Sequence, residues 1–367
     1  MALTKKRKVF FIVFSAFVLI TIASILVLSG TEKLSSASIQ KAFNRAVKQS
    51  HIYEAVLYAE DSSGDFSYNI GYGGRDIDSP MLTASVGKLF TTACILILYG
   101  ENIISLEDKL SQFLNEDELR GLHVYRGREY SFDLTIADLL FQTSGLPNTS
   151  RTLSDEDTYI SFNERLEAVK LISPHFAPNT NAAYYANINF SILGEILERV
   201  TGIPLADAYN QMIFLPLGMN STYLPVNEND YIPSFYNGDQ NIHRPNNIIS
   251  AGAAGGFVST PRDLMLFIKA FWEGKLFDKS ILEELAVYEK LKPYFGPVYY
   301  GGGYMQIASR GIYSLFMGKG GLIGHSGVTG SFAFYYPQNN LYFTGDFSQL
   351  QKPSAPYMML MRLTGFK

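Results

Sequence analysis

Ser85-Val86-Gly87-Lys88 places a hydroxyl and an amine three residues apart, on one face of any helix that begins there. A serine hydroxyl is a poor nucleophile until a neighbouring base takes its proton. A lysine serves as that base only when burial or nearby positive charge lowers its pKa. The positive end of a helix dipole at this point favours charge developing at Ser85 and disfavours a protonated Lys88. Taken alone, the spacing recurs by chance as an ordinary helix start with a surface lysine. Two further segments carry complementary chemistry. In Ala183-Tyr184-Tyr185-Ala186-Asn187, the Tyr185 phenol can pass protons and the Asn187 amide can orient Lys88 and a substrate. In Gly324-His325-Ser326-Gly327-Val328, His325 falls on or just before a strand, and the flanking glycines let a ligand's backbone come close. Each also has a plain structural reading, as aromatic packing at a helix start and as a satisfied core histidine.

The elements that must position these residues are legible from periodicity. From Ser85 to Tyr99 the residues Leu89, Phe90, Ala93, Cys94, Leu96, Ile97 and Leu98 leave little polar face, so a buried helix ending near Gly100 is expected. Ala55–Ala59 and Phe66–Ile70 flank a Gly-containing loop, and Phe332–Tyr336 and Leu341–Thr344 flank Pro337–Asn340; both pairs read as hairpins. Between them, Ser105 with Asp108, Thr135 with Asp138, and Thr260 with Pro261 and Asp263 read as helix starts. Strands at both ends with helices between predict an α+β fold: a mostly antiparallel sheet made by the two chain ends, flanked by helices, with an inserted all-helical subdomain. The expected sheet subdomain is about 41–84 and 250–367, and the helical subdomain about 85–249.

Charge and composition narrow the function. With 47% hydrophobic and 17% charged residues the chain is globular with an apolar attachment. Lys5, Lys6, Arg7 and Lys8 precede the first acid, Glu32, and without them 26 basic residues face 34 acidic ones. An acidic body argues against nucleic acid as a partner. Val9–Leu28 is an uncharged run of twenty residues, about 30 Å as a helix, which matches a bilayer core. The sequence therefore predicts a cytoplasmic tail at 1–8, a single transmembrane anchor at 9–29, a linker at 30–40 and an extracytoplasmic domain at 41–367. The length favours an anchor over a cleaved signal peptide, although Ser36-Ala37-Ser38 would suit cleavage. The single cysteine, Cys94, lies in an apolar run and reads as a core thiol. There is no G-x-S-x-G elbow, Gly318-Lys319-Gly320 lacks the rest of a P-loop, and the five histidines are scattered, so no metal or cofactor is expected.

Ser85-x-x-Lys88, Tyr185-x-Asn187 and His325-Ser326-Gly327 together resemble the penicillin-recognising serine hydrolases, in the class C β-lactamase-like branch of D,D-peptidases and esterases. Leu139–Pro147, the Asn189–Gly202 helix and Gly255–Thr260 fit the same pattern, so the resemblance runs from about Ala55 to Gln349. It implies Ser85 as the acylated nucleophile, Lys88 and Tyr185 as its proton-transfer partners, and Asn187 as the group orienting lysine and substrate. It also implies the backbone N–H groups of Ser85 and Val328 as an oxyanion hole. Gln142 stands where the family often has histidine, in a segment read as structural. His325 stands where β-lactamases of this branch have lysine, and a neutral imidazole holds a carboxylate less firmly. The expected substrate is a cell-wall D-alanyl peptide, with β-lactams as further ligands. A D-alanyl esterase, a weak β-lactamase and a catalytically silent surface module are the alternatives, and the oligomeric state is left open.

Overall fold

The computed structural model describes residues 34–149, 156–293, 297–308 and 321–364. The expected cytoplasmic tail and membrane anchor lie outside these residues. Among the described residues no helix is long and apolar enough to cross a membrane.

Among the described residues the main sheet has strands β1 Ala55–Asp61, β2 Ser67–Tyr72, β3 Ala183–Tyr184, β4 Glu289–Lys292, β5 Val298–Gly301, β6 Tyr304–Ala308, β7 Gly321–Ser326, β8 Phe332–Tyr336 and β9 Leu341–Asp346. Their order is β2-β1-β9-β8-β7-β6-β5-β4-β3. Both expected hairpins form, with Ala59 opposite Tyr68 and Tyr336 opposite Leu341. The chain ends meet as predicted, since β1 pairs antiparallel with β9 and Val56 faces Asp346.

The helices that bear on the site are α1 Ser36–Ser50, α2 Lys88–Gly100, α3 Ile136–Leu140, α4 Phe162–Lys170, α5 Asn187–Thr201, α6 Pro245–Ala251, α7 Pro261–Glu273 and α8 Ala355–Leu363. The period of two along each strand sends alternate side chains to opposite faces. Leu57, Phe332, Phe334, Leu341 and Phe343 pack with Ile39 and Phe43 of α1 and with Met359 and Leu360 of α8. Tyr58, Ala333 and Tyr342 point the other way, into a larger core shared with α2, α5 and α7. The result is a sheet covered on both faces.

Three expectations are corrected. The linker drawn to residue 40 is helical from Ser36: Ser35 and Ser38 form a capping box, and Ile39, Phe43, Ala46 and Val47 make a buried stripe at helical spacing. The inserted subdomain is not all helical. Val124–Tyr125 pairs with Arg128–Glu129 through a two-residue turn, Arg126 and Gly127 both having positive φ (52° and 80°). Phe235–Asn237 pairs with Gln240–Ile242, and β3 joins the main sheet parallel to β4. Finally, Ser105 and Asp108 close a single turn, with the Ser105 N–H donating to Asp108 Oδ2 at 2.7 Å, but no helix starts at Ser105; a one-turn 3-10 helix, Leu110–Gln112, comes only after it. By contrast, Thr135 and Thr260 cap α3 and α7 as expected.

The buried helix is α2. Leu89, Phe90, Ala93, Cys94 and Leu96 have no exposed surface, and burial pushes the Cys94 thiol pKa up, as befits a core residue. Phe90 meets Phe214, Phe257 and Phe267 edge-on, with ring centroids 5.2, 5.0 and 4.6 Å away. Truncating Phe90 to Ala is expected to lower unfolding free energy by about 3–5 kcal/mol. Urea denaturation would check this, and a loss below about 1 kcal/mol would mean that the cluster is not the anchor of α2.

Candidate active site

Ser85 sits in a 3-10 turn, Ala84–Gly87, that runs directly into α2. Ala84, just before it, is held at φ +43°, a conformation that a side chain adopts only under constraint from its surroundings. Two close approaches supply that constraint. A Cβ on Gly255 would lie 2.4 Å from the Ala84 carbonyl oxygen, and one on Gly327 would lie 2.7 Å from that of Thr83. Ser331 Oγ also donates to the Thr83 carbonyl at 2.6 Å. The end of β7 is thus locked against the serine turn, which places Ser326, Gly327 and the exposed Val328 beside Ser85. Among the described residues no backbone carbonyl accepts the Ser85 or Val328 N–H. Both are available to a developing oxyanion.

Lys88 has no exposed surface. Its Nζ lies 2.8 Å from Asn187 Oδ1, 2.5 Å from the Ala254 carbonyl oxygen and 3.3 Å from Ser85 Oγ. Burial pushes its pKa well below the usual lysine value, and the charge of Arg165 pushes it further in the same direction. A neutral amine has two N–H donors and one lone pair. In that state the two carbonyl-type oxygens would take the donors and the lone pair would face the Ser85 hydroxyl. The turn carrying Ala254 is clamped to α2 a second time by Thr91 Oγ1, which donates to the Ala253 carbonyl at 2.8 Å.

Tyr185 and Asn187 span the end of β3 and the start of α5. The Tyr185 N–H donates to the Lys292 carbonyl at 2.9 Å, fixing this segment to the sheet edge. The Tyr185 ring centroid is 5.1 Å from Lys88 Nζ and 6.0 Å from the His325 ring. Two side chains that sequence reasoning did not assign to the site hold the α5 N-terminus. Gln142 Oε1 accepts from the Ala186 N–H at 2.9 Å and from Asn189 Nδ2 at 2.6 Å, and Asn148 Oδ1 accepts from the Asn187 N–H at 3.0 Å. Gln142 therefore positions the segment that bears Asn187. Its place in the Gln142-Thr143-Ser144-Gly145 stretch was the available signal.

His325, on β7, is buried, and its Nδ1 lies 2.9 Å from the Ser326 carbonyl oxygen. Its pKa is lowered to about 3, first by burial and then by Lys88, against a smaller opposing effect of the Ser326 bond. The imidazole is neutral at pH 7 and brings no cation to a substrate carboxylate. The stretch from Tyr299 to Tyr304 serves mainly as β5, β6 and their turn, while the Tyr300 ring packs 5.8 Å from His325. A separate cavity of about 380 Å³, lined by Glu107, Asp138 and Glu289 among others, lies beyond Tyr300 and includes neither Ser85 nor Lys88.

A serine hydroxyl 3.3 Å from a buried lysine amine whose pKa is pushed down, on a helix under a mostly antiparallel sheet, is an arrangement suited to acyl transfer. The sequence matches the Beta-lactamase family over residues 61–357, most of its length, and the chain belongs to that family of serine hydrolases. It is similar to the D-alanyl-D-alanine-carboxypeptidase/endopeptidase AmpH of Escherichia coli (strain K12), at 26% identity over 56% of this chain and 52% of that one. It is also similar to a penicillin-binding protein of Bacillus subtilis (strain 168), at 28% identity over 50% of this chain and 40% of the relative. The chain thus spans about half or less of the length of these curated relatives. Among solved structures, a D-stereospecific amidohydrolase from Streptomyces sp. superposes with a TM-score of 0.69 and 25% identity, covering 86% of this chain and 94% of that one.

The His325 shift has a sign. The unfolded chain binds the proton near pH 6.5 and the folded one only near 3, so stability is full above about 6.5 and is lost as pH falls toward 3. His325→Gln is expected to flatten the acid side of the stability curve by up to about 1.4 kcal/mol per pH unit. Denaturant titrations between pH 3 and 7 check this, and parallel slopes for both proteins would contradict a buried neutral imidazole.

Proposed function

We propose that this chain cleaves or transfers D-alanyl peptides of the cell wall through an acyl-enzyme on Ser85, as a carboxypeptidase or penicillin-binding type enzyme. Residues 9–29 would hold the domain at the outer face of the membrane. The carrying observation is Lys88, wholly buried 3.3 Å from Ser85 Oγ with both of its other partners acceptors. In this reading Ser85 Oγ attacks the scissile carbonyl carbon while its proton passes to Lys88 Nζ. The N–H groups of Ser85 and Val328 bind the oxyanion. Tyr185 relays the proton to the leaving amine, the C–N bond breaks, and water then releases the acyl group. Asn187 orients Lys88 and the substrate amide, and His325, Ser326 and Gly327 line the strand side of the cleft.

The neutral His325 favours a second reading, an esterase for D-alanyl esters of wall polymers, since an ester substrate need not present a free carboxylate. The same groups serve both.

Intact mass of the full-length chain in detergent, after incubation with a penicillin and beside Ser85→Ala, tests the proposal. A stable adduct on Ser85 supports the penicillin-binding reading. Antibiotic loss without an adduct replaces it with a β-lactamase. Turnover of D-alanyl esters alone selects the esterase. Ser85→Ala is expected to abolish whichever activity is present by about 10³-fold or more. Inertness toward penicillin, D-alanyl peptides and D-alanyl esters alike would leave the fold as a binding module and overturn the enzyme reading.

A further inference from the structure

Arg165, on α4, is a cation that faces no carboxylate within ion-pair distance among the described residues. Its Nη2 donates instead to two backbone carbonyls, that of Ile160 at 3.4 Å and that of Ser250. These belong to two segments already stitched together. The Ile160 N–H donates to Ser250 Oγ at 2.7 Å, and the Asn247 N–H, in the first turn of α6, donates to Asp157 Oδ1 at 2.9 Å. Four residues after Ser250 comes Ala254, whose carbonyl receives Lys88 Nζ. The guanidinium therefore sits at the knot joining the 157–161 loop to the end of α6, immediately before the turn that grips the lysine.

The same placement has an electrostatic consequence. The groups around Lys88 are Ser85 on its own turn, Tyr185 and Asn187 at the start of α5, Phe190 within α5, His325 on β7 and the Ala254 carbonyl. None of them is an anion at neutral pH. Among the described residues around Arg165, Asp157 accepts hydrogen bonds at the α6 N-terminus, Glu164 accepts from Ser161 at the start of α4, and the Tyr159 phenol is a further titratable neighbour. A nearby cation disfavours protonation of an amine, and of two such groups the weaker acid keeps its proton. Arginine keeps its proton because guanidinium is effectively never deprotonated in proteins.

We propose that Arg165 is a positioning residue for proton transfer: it ties the 157–161 loop to the Ser250 carbonyl so that Ala254 meets Lys88, and it sets a cation behind the turn that holds the Lys88 amine. Only the kinetic arm of the test rests on the acyl-transfer reading given above.

The test uses the full-length chain with ¹³Cε-labelled lysine, the Lys88 resonance being assigned by its loss in Lys88→Met. In Arg165→Gln the Lys88 signal is expected to titrate at higher pH than in the wild type. In Arg165→Lys, which keeps the charge and loses the planar fork, it is expected to titrate close to the wild-type pH. Acylation of Ser85 at pH 7 should fall about three- to tenfold in Arg165→Gln and recover as pH rises, because the base is then restored. A purely structural Arg165 would lower the melting temperature of both variants while leaving the Lys88 titration where it was, and that result overturns the proposal. If Arg165→Gln does not fold, a raised Lys88 midpoint in Arg165→Lys overturns it equally, since the charge is still present there. A wild-type Lys88 that titrates low, with a shift in Arg165→Gln but no acylation in any protein, would uphold the electrostatic role and refute the acyl-transfer reading alone.

Discussion

The arrangement around Ser85 follows from one constraint, a lysine amine with no access to water. A protonated ammonium there would carry a desolvation cost of several kcal/mol, and no carboxylate among the described residues pairs with it. Burial therefore favours the neutral amine, and the amine still needs acceptors for its N–H groups. Those acceptors come from far along the chain: Asn187 is 99 residues away and Ala254 is 166. The start of α5 and the turn after α6 must both converge on the first turn of α2. Much of the middle of the chain is organised to make them do so.

Convergence at this precision is achieved by close backbone contacts and by satisfying helix N-termini with side chains from elsewhere. Gly255 and Gly327 let two segments touch the Thr83-Ala84 backbone where any Cβ would collide. Gln142 and Asn148 give the first N–H groups around the α5 start their acceptors, so Asn187 begins the helix already aimed at Lys88. The positive φ of Ala84 is tolerated because those contacts over-determine it. Preorganisation of this kind keeps the lone pair of Lys88 and the unpaired amides of Ser85 and Val328 in place before any substrate arrives.

What could be read from the sequence was what is encoded locally. The capping residues Thr135 and Thr260, the two hairpins and the all-apolar α2 carry their signal within a dozen residues, and the structure has them where the pattern put them. The grouping of Ser85, Lys88, Tyr185, Asn187 and His325 was legible through joint occurrence, since no single motif carried it. The parts that escaped depend on tertiary contacts or on atoms common to every residue. The Ala254 carbonyl has no side-chain signature. Arg165 looks like any helix arginine until its partners are seen to be carbonyls. The stripe of α1 was obscured by a Ser-rich start that resembles a linker, and the capping box hidden in that start is what the reading missed. The two-residue β3 is too short for any periodicity to announce, and it exists because β4 offers it an edge.

The electrostatic character that emerges is of a cleft whose burial disfavours cationic side chains. Burial pushes the Lys88 pKa down, His325 is neutral with its pKa lowered to about 3, and Asn187 and Ser326 carry no formal charge. A fixed charge close to this region, Arg165, lies behind the α6 segment and is turned toward backbone oxygens. A site of this kind has little with which to anchor an anionic substrate end by Coulombic attraction. It has, however, preplaced dipoles where negative charge grows during attack on a carbonyl. On the proposed acyl-transfer reading, binding strength comes from the walls of the cleft and selectivity from shape, while the two backbone N–H groups supply the stabilisation specific to the transition state. On that reading a neutral histidine on β7 bears on substrate holding, and the Ser85–Lys88 pair does not depend on it.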